Sequence, residues 1–283
     1  MAKIITLGTG WPVPNPERCG TSQIIEVDGE ILLFDCGNGA TLQLVKTGID
    51  PTRIKRLFIS HMHYDHIADY AYLILSTWLC GRTTPIEVYA PVGFQRVSKS
   101  LINEVLKIHI ESSISPRLPE FSSVKIYEMK KEAVVKNDKW KISTTQVEHI
   151  QNSPCHAFRL DTQHGSIAIS GDTRPSKNLI NLARNVDILI HECTFMDQFM
   201  DSKGIGGHTG PIGLGKVARD SRARKLVVTH LGPYGASPTT VKTAQKWLGE
   251  YTSKEVLKQM VEQIKENYDG EVILAKDLMT IEF

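Results

Sequence analysis

The most informative stretch of this sequence is His61-Met62-His63-Tyr64-Asp65-His66. It follows Arg56-Leu-Phe-Ile-Ser60, a short apolar run with the character of a buried strand. His61, His63 and Asp65 alternate along the chain, so an extended backbone would point all three side chains the same way. His66 breaks the alternation, which predicts a turn at that residue. Imidazole and carboxylate groups together suit zinc, manganese or iron better than calcium or magnesium.

Predicted strands and helices alternate along the rest of the chain. We predict strands over 3–8, 22–27, 30–35, 56–60, 86–90, 124–129, 140–147, 157–160, 166–170, 186–190 and 225–229, and a final strand pair, 271–275 and 279–283. We predict helices over 40–47, 70–79, 91–109, 177–184, 211–219, about 238–249 and 253–267. The residues at or just after strand ends include His61, His149, Asp172, Glu192 and His230. This arrangement is typical of a site built on loops at one edge of a layered α/β scaffold.

Length and composition indicate an ordinary globular protein. The 283 residues suit one large α/β domain or two small ones, and we predict a single domain over 1–283. With 41% hydrophobic residues and a net charge of +2, the composition does not predict a nucleic-acid binder. The five cysteines contain no C-x-x-C pair, which favours reduced thiols in the cytoplasm. The first strand starts at Lys3, and no apolar run approaches the roughly 18 residues that a membrane span needs. We therefore expect a cytoplasmic protein with no membrane segment.

The motif His61-x-His63-x-Asp65-His66 resembles the signature of the metallo-β-lactamase superfamily of binuclear metallohydrolases. Within that superfamily the chain most resembles the ribonuclease Z group, nearly end to end, from Leu7-Gly-Thr-Gly10 to Ala275–Phe283. The resemblance implies an αββα sandwich, in which two mixed sheets pack back to back with helices on the outer faces. It also implies a homodimer.

The same resemblance implies two divalent metal ions, with zinc expected and manganese or iron as alternatives. It assigns seven ligands: His61, His63 and His149 to the first metal, Asp65, His66 and His230 to the second, and Asp172 as the bridge between them. Two such metals would polarise a substrate and acidify the water between them into a nucleophilic hydroxide.

Two further motifs are similar to motifs of ribonuclease Z. His191-Glu192-Cys193-Thr194 resembles its His-Glu-Ala-Thr motif, and Gly207-His208-Thr209 its His-Ser-Thr motif. By this resemblance His208 would stabilise charge on the scissile group or protonate the leaving oxygen, and Glu192 would orient it. We predict His208, Glu192 and Asp65 as catalytic residues, Asp65 being a ligand as well. The histidines expected to be structural or exposed are His109, His156, His164 and His191.

Departures from the ribonuclease Z pattern bear on the substrate. The tRNA 3′-endonucleases of that group carry a long arm between the ligand histidine and the bridging aspartate, whereas His149 and Asp172 are only 23 positions apart (172 − 149). The N-terminal loop Pro12-Val-Pro-Asn-Pro-Glu-Arg-Cys-Gly20 has Arg18 as its single basic residue. With few phosphate contacts, tRNA binding is disfavoured.

We predict a small-molecule ester substrate and a phosphodiesterase acting on small phosphate esters or nucleotides, cyclic nucleotides included. The alternatives are a lactonase or arylsulfatase-like hydrolase and a tRNA 3′-processing endonuclease.

Overall fold

Two mixed sheets of seven strands form the centre of the molecule. A computed structural model describes residues 2–112, 119–121, 123–200, 206–232 and 254–283. In spatial order, the first sheet contains Met279–Glu282 (β14), Ala2–Gly8 (β1), Ser22–Val27 (β2), Glu30–Phe34 (β3), Arg56–Phe58 (β4), Ile86–Pro91 (β5) and Val124–Met129 (β6). The second contains Glu271–Leu274 (β13), Lys225–Thr229 (β12), Ile188–Glu192 (β11), Gly165–Ile169 (β10), Cys155–Thr162 (β9), Trp140–Val147 (β8) and Glu132–Lys136 (β7).

Each sheet has a parallel half and an antiparallel half. Neighbours from β3 to β6 run parallel in the first sheet, as do neighbours from β10 to β13 in the second. The remaining neighbours are antiparallel. Parallel neighbours end at the same sheet edge, so the loops that follow β10, β11 and β12 lie together at one edge of the second sheet.

The inner faces of the two sheets share one apolar core. Phe34 and Phe58 of the first sheet stack with their ring centroids 5.0 Å apart, and Phe158 of the second meets their edges at 5.5 and 5.9 Å. Leu33 and Leu57 immediately precede Phe34 and Phe58. They therefore point to the outer face of the first sheet, where they pack with the helices. This alternation follows from the two-residue period of a strand.

Helices cover both outer faces. They are Ala40–Lys46 (α1), Tyr64–Ile67 (α2), Tyr70–Leu79 (α3), Phe94–Ser100 (α4), Lys107–Ser112 (α5), Lys177–Leu182 (α6), Asp197–Met200 (α7), Pro211–Ser221 (α8) and Lys254–Lys265 (α9), with a 3₁₀ turn at Pro51–Arg53 and a π-helical turn at Leu101–Val105. Residues of α1, α3 and α4 pack on the first sheet, and residues of α6, α8 and α9 on the second. The predicted αββα sandwich is confirmed.

Several predicted elements differ from the structure. The helix predicted over 91–109 begins at Phe94, after Gly93 in a left-handed conformation (φ 98°), and the π-helical turn interrupts it. Strand β7 was not predicted. It is a short strand at a sheet edge, it begins and ends with charged residues, and its side chains alternate between exposed and partly buried, so it lacks the apolar run of a central strand. The helix predicted at about 238–249 lies outside the described residues. Among the described residues, no helix combines the length and apolar character needed to cross a bilayer.

The prediction that the last two strands form a pair is wrong. Ala275 still belongs to the second sheet, where its N–H donates to the Val228 carbonyl at 2.9 Å. Leu278, with φ 62°, already donates to the Thr6 carbonyl of the first sheet at 2.6 Å. The chain therefore crosses between the sheets in this short turn, and β13 and β14 lie at the same end of the sandwich in different sheets.

Candidate metal centre

The seven predicted ligands come together at one edge of the sandwich. Three groups of side chains have ligand atoms within 4.8 Å of one another: His61, His63, His149 and Asp172; Asp65, His66 and His230; and Asp172, His208 and His230. Six of the seven predicted ligands are buried, and His63 is partly exposed. The two groups predicted from the sequence are thus adjacent, and Asp172 adjoins both.

Asp172 occupies the position expected of a bridge. Its Oδ2 lies 3.7 Å from His61 Nε2 and 3.3 Å from His230 Nε2. Its Oδ1 lies 3.4 Å from His66 Nε2. The carboxylate therefore adjoins residues of both ligand groups: Oδ2 is near His61 and His230, and Oδ1 is near His66.

The strand end and a short helix divide the histidine motif between the two groups. His63 has an extended backbone (φ −65°, ψ 147°) and precedes α2, which starts at Tyr64. The predicted alternation through Asp65 is therefore wrong, because the chain turns two residues earlier than expected. Asp65 lies on the helix, and its Oδ2 is 3.0 Å from His230 Nε2 and 3.5 Å from His66 Nε2.

Outer partners aim the imidazoles at the centre. Four Nδ1 atoms each lie near an oxygen: His61 Nδ1 at 3.0 Å from Ser60 Oγ, His66 Nδ1 at 2.9 Å from Asp35 Oδ2, His149 Nδ1 at 2.7 Å from the Gly207 carbonyl, and His230 Nδ1 at 2.6 Å from Thr194 Oγ1. Such contacts orient the rings and leave Nε2 available to a metal.

The donor set fits a divalent metal. His61 Nε2 and His66 Nε2 are buried without a hydrogen-bond partner among the described residues. A buried polar nitrogen without a partner is costly, and both atoms point into the cluster of carboxylates. Imidazole nitrogens combined with carboxylate oxygens are the ligands that zinc prefers. The cluster therefore has the composition and burial of a metal site.

Neighbouring charges and burial shift the pKa values of Asp172 and His61. Burial alone would raise the pKa of Asp172, but the adjacent His230, His66 and His61 hold it well below its usual value. Burial and the neighbouring His66 lower the pKa of His61 well below its usual value. Asp172 is thus a carboxylate and His61 a neutral imidazole at neutral pH, the protonation states in which each binds metal.

His208 and Glu192 form a second arrangement beside this cluster. His208 Nδ1 lies 3.1 Å from Glu192 Oε1 and 3.9 Å from Asp172 Oδ2. Burial lowers the pKa of His208, but the carboxylates of Glu192, Asp172 and Asp65 together outweigh burial and raise it to about 9. The imidazole is therefore protonated at neutral pH and carries a proton beside the proposed metal ligands.

The Glu192 carboxylate is itself held by the surrounding backbone. Oε1 accepts the N–H groups of Thr173 and Thr209, both at 3.1 Å, and Oε2 accepts the N–H and hydroxyl of Thr194 at 3.2 and 3.0 Å. Glu192 is 1% exposed. The carboxylate can therefore orient His208 with little freedom of its own.

Asp35 holds His66 from behind and was not predicted from the sequence. Asp35 ends the buried run Leu32-Leu-Phe34 and adopts a left-handed backbone (φ 54°) that is uncommon for a residue with a side chain. An acidic residue at a strand end was the available signal. The four histidines expected to be structural belong to none of the three clusters, and His156 and His191 are buried with backbone carbonyl partners.

Several solved structures share this architecture. The structure superposes on the metallo-β-lactamase fold protein YhfI from Bacillus subtilis with a TM-score of 0.75, 19% identity and full coverage of both chains. It superposes on human tRNase Z, short form, with a TM-score of 0.74 and 24% identity, covering 99% of this chain and 98% of the other. In sequence it is 25% identical to ribonuclease Z of Methanothermobacter thermautotrophicus over 331 aligned positions, covering 100% of this chain and 97% of the relative.

The fold, the cluster of candidate metal ligands and the relatives together indicate the class of protein. The chain is a metal-dependent hydrolase of the metallo-β-lactamase superfamily, similar to ribonuclease Z. The family described as Anti-Pycsar protein Apyc1 matches residues 2–230. The chain belongs to that family.

Proposed function

We propose that the chain is a binuclear metal-dependent phosphodiesterase that acts on small phosphate esters or nucleotides. The observation that carries this proposal is the His208–Glu192 pair beside Asp172. A protonated imidazole, oriented by a buried carboxylate and adjacent to the metal ligands, suits a reaction in which a phosphoryl oxygen gains charge and a leaving oxygen needs a proton.

The proposed ligands are those predicted from the sequence, and zinc is the proposed metal in both positions: His61, His63, His149 and Asp172 in one, Asp65, His66, His230 and Asp172 in the other. When bound, the metals would supply Lewis acidity and lower the pKa of a bound water. The protein's contribution is to orient the ligands through Ser60, Asp35, Thr194 and Gly207, and to hold the His208 proton within reach of the substrate.

Asp65 and Glu192 complete the proposed catalytic group. Asp65 Oδ2 lies near both His66 Nε2 and His230 Nε2. We therefore propose Asp65 as a metal ligand that is also part of the catalytic site. Among the described residues, Glu192 belongs to none of the three candidate ligand groups, and its Oε1 lies 3.1 Å from His208 Nδ1. Its proposed role is therefore to position the acid rather than to bind metal.

The small substrate is favoured by the segment between His149 and Asp172. After residues 150–154 this segment is the β9–β10 hairpin, which is fully within the second sheet, and no arm projects from it. The net charge of +2 supplies no general attraction to a polyanion. The similarity to ribonuclease Z along the whole chain favours the second candidate, cleavage of precursor tRNA.

Kinetics on matched substrates distinguish these candidates. We expect the zinc-loaded protein to hydrolyse bis(p-nitrophenyl) phosphate and a 3′,5′-cyclic nucleotide with a higher kcat/KM than precursor tRNA. A clear preference for precursor tRNA would establish the second candidate instead. A parallel panel of p-nitrophenyl sulfate and a lactone tests the remaining alternatives, and turnover confined to either would contradict the phosphodiesterase proposal.

Three further expectations from the sequence accompany this proposal. We propose that residues 1–283 fold as a single domain, that the protein is a homodimer, and that it acts in the cytoplasm. Light scattering after size-exclusion chromatography measures the subunit number, and a mass of one chain would contradict the dimer. A single cooperative unfolding transition supports the single domain.

A further inference from the structure

The turn that joins the two sheets carries an aspartate whose side chain binds distant parts of the chain. Asp277 lies between β13 and β14, and its Oδ1 accepts the N–H and the hydroxyl of Thr9 at 3.0 and 2.7 Å. Its Oδ2 accepts the N–H of Cys19 at 2.7 Å and the side-chain amide of Gln43, on α1, at 3.1 Å. Hydrogen bonds to an ionised carboxylate are stronger than those between neutral groups. Asp277 therefore ties the segment after β1 to the crossing between the sheets.

The same carboxylate fixes both ends of the loop between β1 and β2. Thr9 directly follows β1, Cys19 comes shortly before β2, and the Gly10 N–H donates to the Cys19 carbonyl at 2.9 Å. Arg18, the basic residue of this loop, is turned inward, where its Nη1 donates to Thr9 Oγ1 at 2.6 Å and to the Ala275 carbonyl at 2.8 Å. The loop is thus a compact excursion whose two ends meet at one acid.

The start of this loop supports a proposed metal ligand. The Thr9 carbonyl accepts the N–H of Leu231 at 2.9 Å, and Leu231 directly follows His230. His230 has a left-handed backbone (φ 52°), a conformation that costs energy for a residue with a side chain and persists only where the surrounding structure fixes it. The bond to Thr9 fixes the peptide directly after His230. Asp277 therefore contacts Thr9, and Thr9 in turn restrains the segment that carries the ligand.

The loop also reaches the proposed acid through a pair of aromatic contacts. The Trp11 ring lies edge-on to Phe195, with 5.2 Å between the ring centroids. Phe195 is buried and meets the His208 imidazole edge-on at 5.9 Å. Because protein interiors are close-packed, a shift of the Trp11 ring would be felt by both neighbours. The loop between β1 and β2 is thus connected to the ligand His230 through Leu231 and to the acid His208 through Phe195.

We propose that Asp277 is a positioning residue of the metal centre, which acts by fixing the loop between β1 and β2 against the His230 segment and Phe195. Loss of its carboxylate would release Thr9 and Cys19 together, because the same group binds both ends of the loop. The released loop would no longer restrain the strained backbone of His230, and the imidazole would lose its fixed direction. The inference rests on the proposed function only through its metal centre, and it does not depend on the substrate.

Metal binding tests the inference without turnover. Asp277→Asn keeps the size of the side chain but leaves one accepting oxygen, so one end of the loop loses its acceptor. We expect the affinity for one of two zinc ions to fall about 3- to 10-fold, measured by competition with a chromogenic chelator. The visible absorption spectrum of the cobalt(II)-loaded protein should also change, since it reports the ligand geometry. Thr9→Val removes a single donor at nearly constant volume, and we expect smaller changes of the same kind.

A matched control removes a similar carboxylate at the opposite end of the strands. Asp187 is partly buried like Asp277, and its Oδ2 accepts the N–H and hydroxyl of Ser166, at the start of β10, at 2.8 and 3.1 Å. We expect Asp187→Asn to lower the thermal unfolding temperature about as much as Asp277→Asn, but to keep the wild-type zinc affinity and cobalt spectrum. Equal metal effects in both variants would show a general consequence of lost stability and overturn the inference. Wild-type affinity and spectrum in Asp277→Asn and Thr9→Val would overturn it as well.

Kinetics under saturating zinc separate this inference from the proposed activity. We expect Asp277→Asn to lower kcat on bis(p-nitrophenyl) phosphate about 3- to 10-fold with little change in KM, because the loop acts on the metal ligand and the acid. If wild type hydrolyses no ester but the zinc and cobalt differences appear, the phosphodiesterase proposal is wrong and the role of Asp277 stands. If wild type binds zinc and hydrolyses the ester and Asp277→Asn matches it in affinity, spectrum and kcat, the inference alone is refuted. A wild-type protein that binds no metal would refute both.

Discussion

The Asp35 carboxylate lies directly behind His66, with 2.9 Å between Oδ2 and Nδ1. The same carboxylate accepts the backbone N–H of Ser60 at 2.7 Å and its hydroxyl at 2.9 Å. One buried acid therefore fixes both the start of the loop that carries His61 and the orientation of a proposed ligand. The acid itself belongs to none of the candidate metal groups among the described residues.

Replacing Asp35 should weaken metal binding although the residue is not a proposed ligand. Asp35→Asn preserves the shape but removes the charge that supports His66, so we expect metal affinity to fall about 10- to 100-fold. Competition with a chromogenic chelator measures this change. Asp35→Ala should in addition leave the buried Ser60 N–H without its acceptor, at a cost of about 1–3 kcal/mol in unfolding free energy. Wild-type affinity in Asp35→Asn would show that His66 needs no outer carboxylate.

The two neighbouring glycines of the His208 loop should respond differently to alanine. A Cβ on Gly207 would lie 2.7 Å from Ile150 Cγ2 and 2.9 Å from His149 Nδ1, whereas on Gly206 its nearest neighbour is 3.7 Å away. Gly207→Ala must therefore displace the His149 ring or the loop. We expect it to reduce zinc affinity and kcat, with Gly206→Ala close to wild type as the matched control. Equal behaviour of the two variants would show that the loop adjusts freely.

These two examples show where the sequence was sufficient and where it was not. His61, His63 and His66 could be identified because their residue types and spacing are local properties of the chain. The support that Asp35 gives to His66 joins residues 31 positions apart, and the Gly207 carbonyl reaches His149 across 58 positions. Such contacts depend on how the two sheets pack, and no periodicity in the sequence encodes them.

The fold shows the same division between local and tertiary information. The αββα sandwich could be predicted because the metal motif resembles a known signature and the elements alternate. The early turn at Tyr64 could not, because Asp65 fits an extended strand equally well until His230, 165 positions away, is brought beside it. The crossing from β13 to β14 is likewise set by Val228 and Thr6, which belong to different sheets.

Asp172 should couple the two proposed metal positions. Its Oδ2 lies near His61 of one position and His230 of the other, and its Oδ1 lies near His66, so Asp172→Ala should weaken both positions together. His230→Ala should mainly weaken the position that it shares with Asp65. Elemental analysis of protein purified without chelator and then saturated with zinc measures the stoichiometry. We expect two zinc ions in wild type, and a ratio that never exceeds one would contradict the binuclear centre.

His208 should behave as a catalytic residue and not as a ligand, because its Nδ1 already faces Glu192. His208→Ala should leave the fold and zinc content intact and lower kcat by about 10²–10⁴-fold, with little change in KM. Glu192→Gln should show a smaller loss of the same kind, since it orients its neighbour. Loss of one zinc ion in His208→Ala would instead place this residue among the ligands, in the third group that it forms with Asp172 and His230.

The identity of the leaving group distinguishes the two roles open to His208. If its imidazolium protonates the leaving oxygen, the defect of His208→Ala should shrink on p-nitrophenyl esters, whose leaving group needs little protonation, and grow on alkyl esters. If it stabilises charge on the phosphoryl oxygens, the defect should stay similar across leaving groups. A series of thymidine 5′-phosphate esters with leaving groups of graded pKa, assayed with both proteins, measures the difference as the slope of log kcat against leaving-group pKa. A steeper slope in the variant identifies the acid, parallel slopes identify the charge stabiliser, and an unchanged kcat throughout would exclude both.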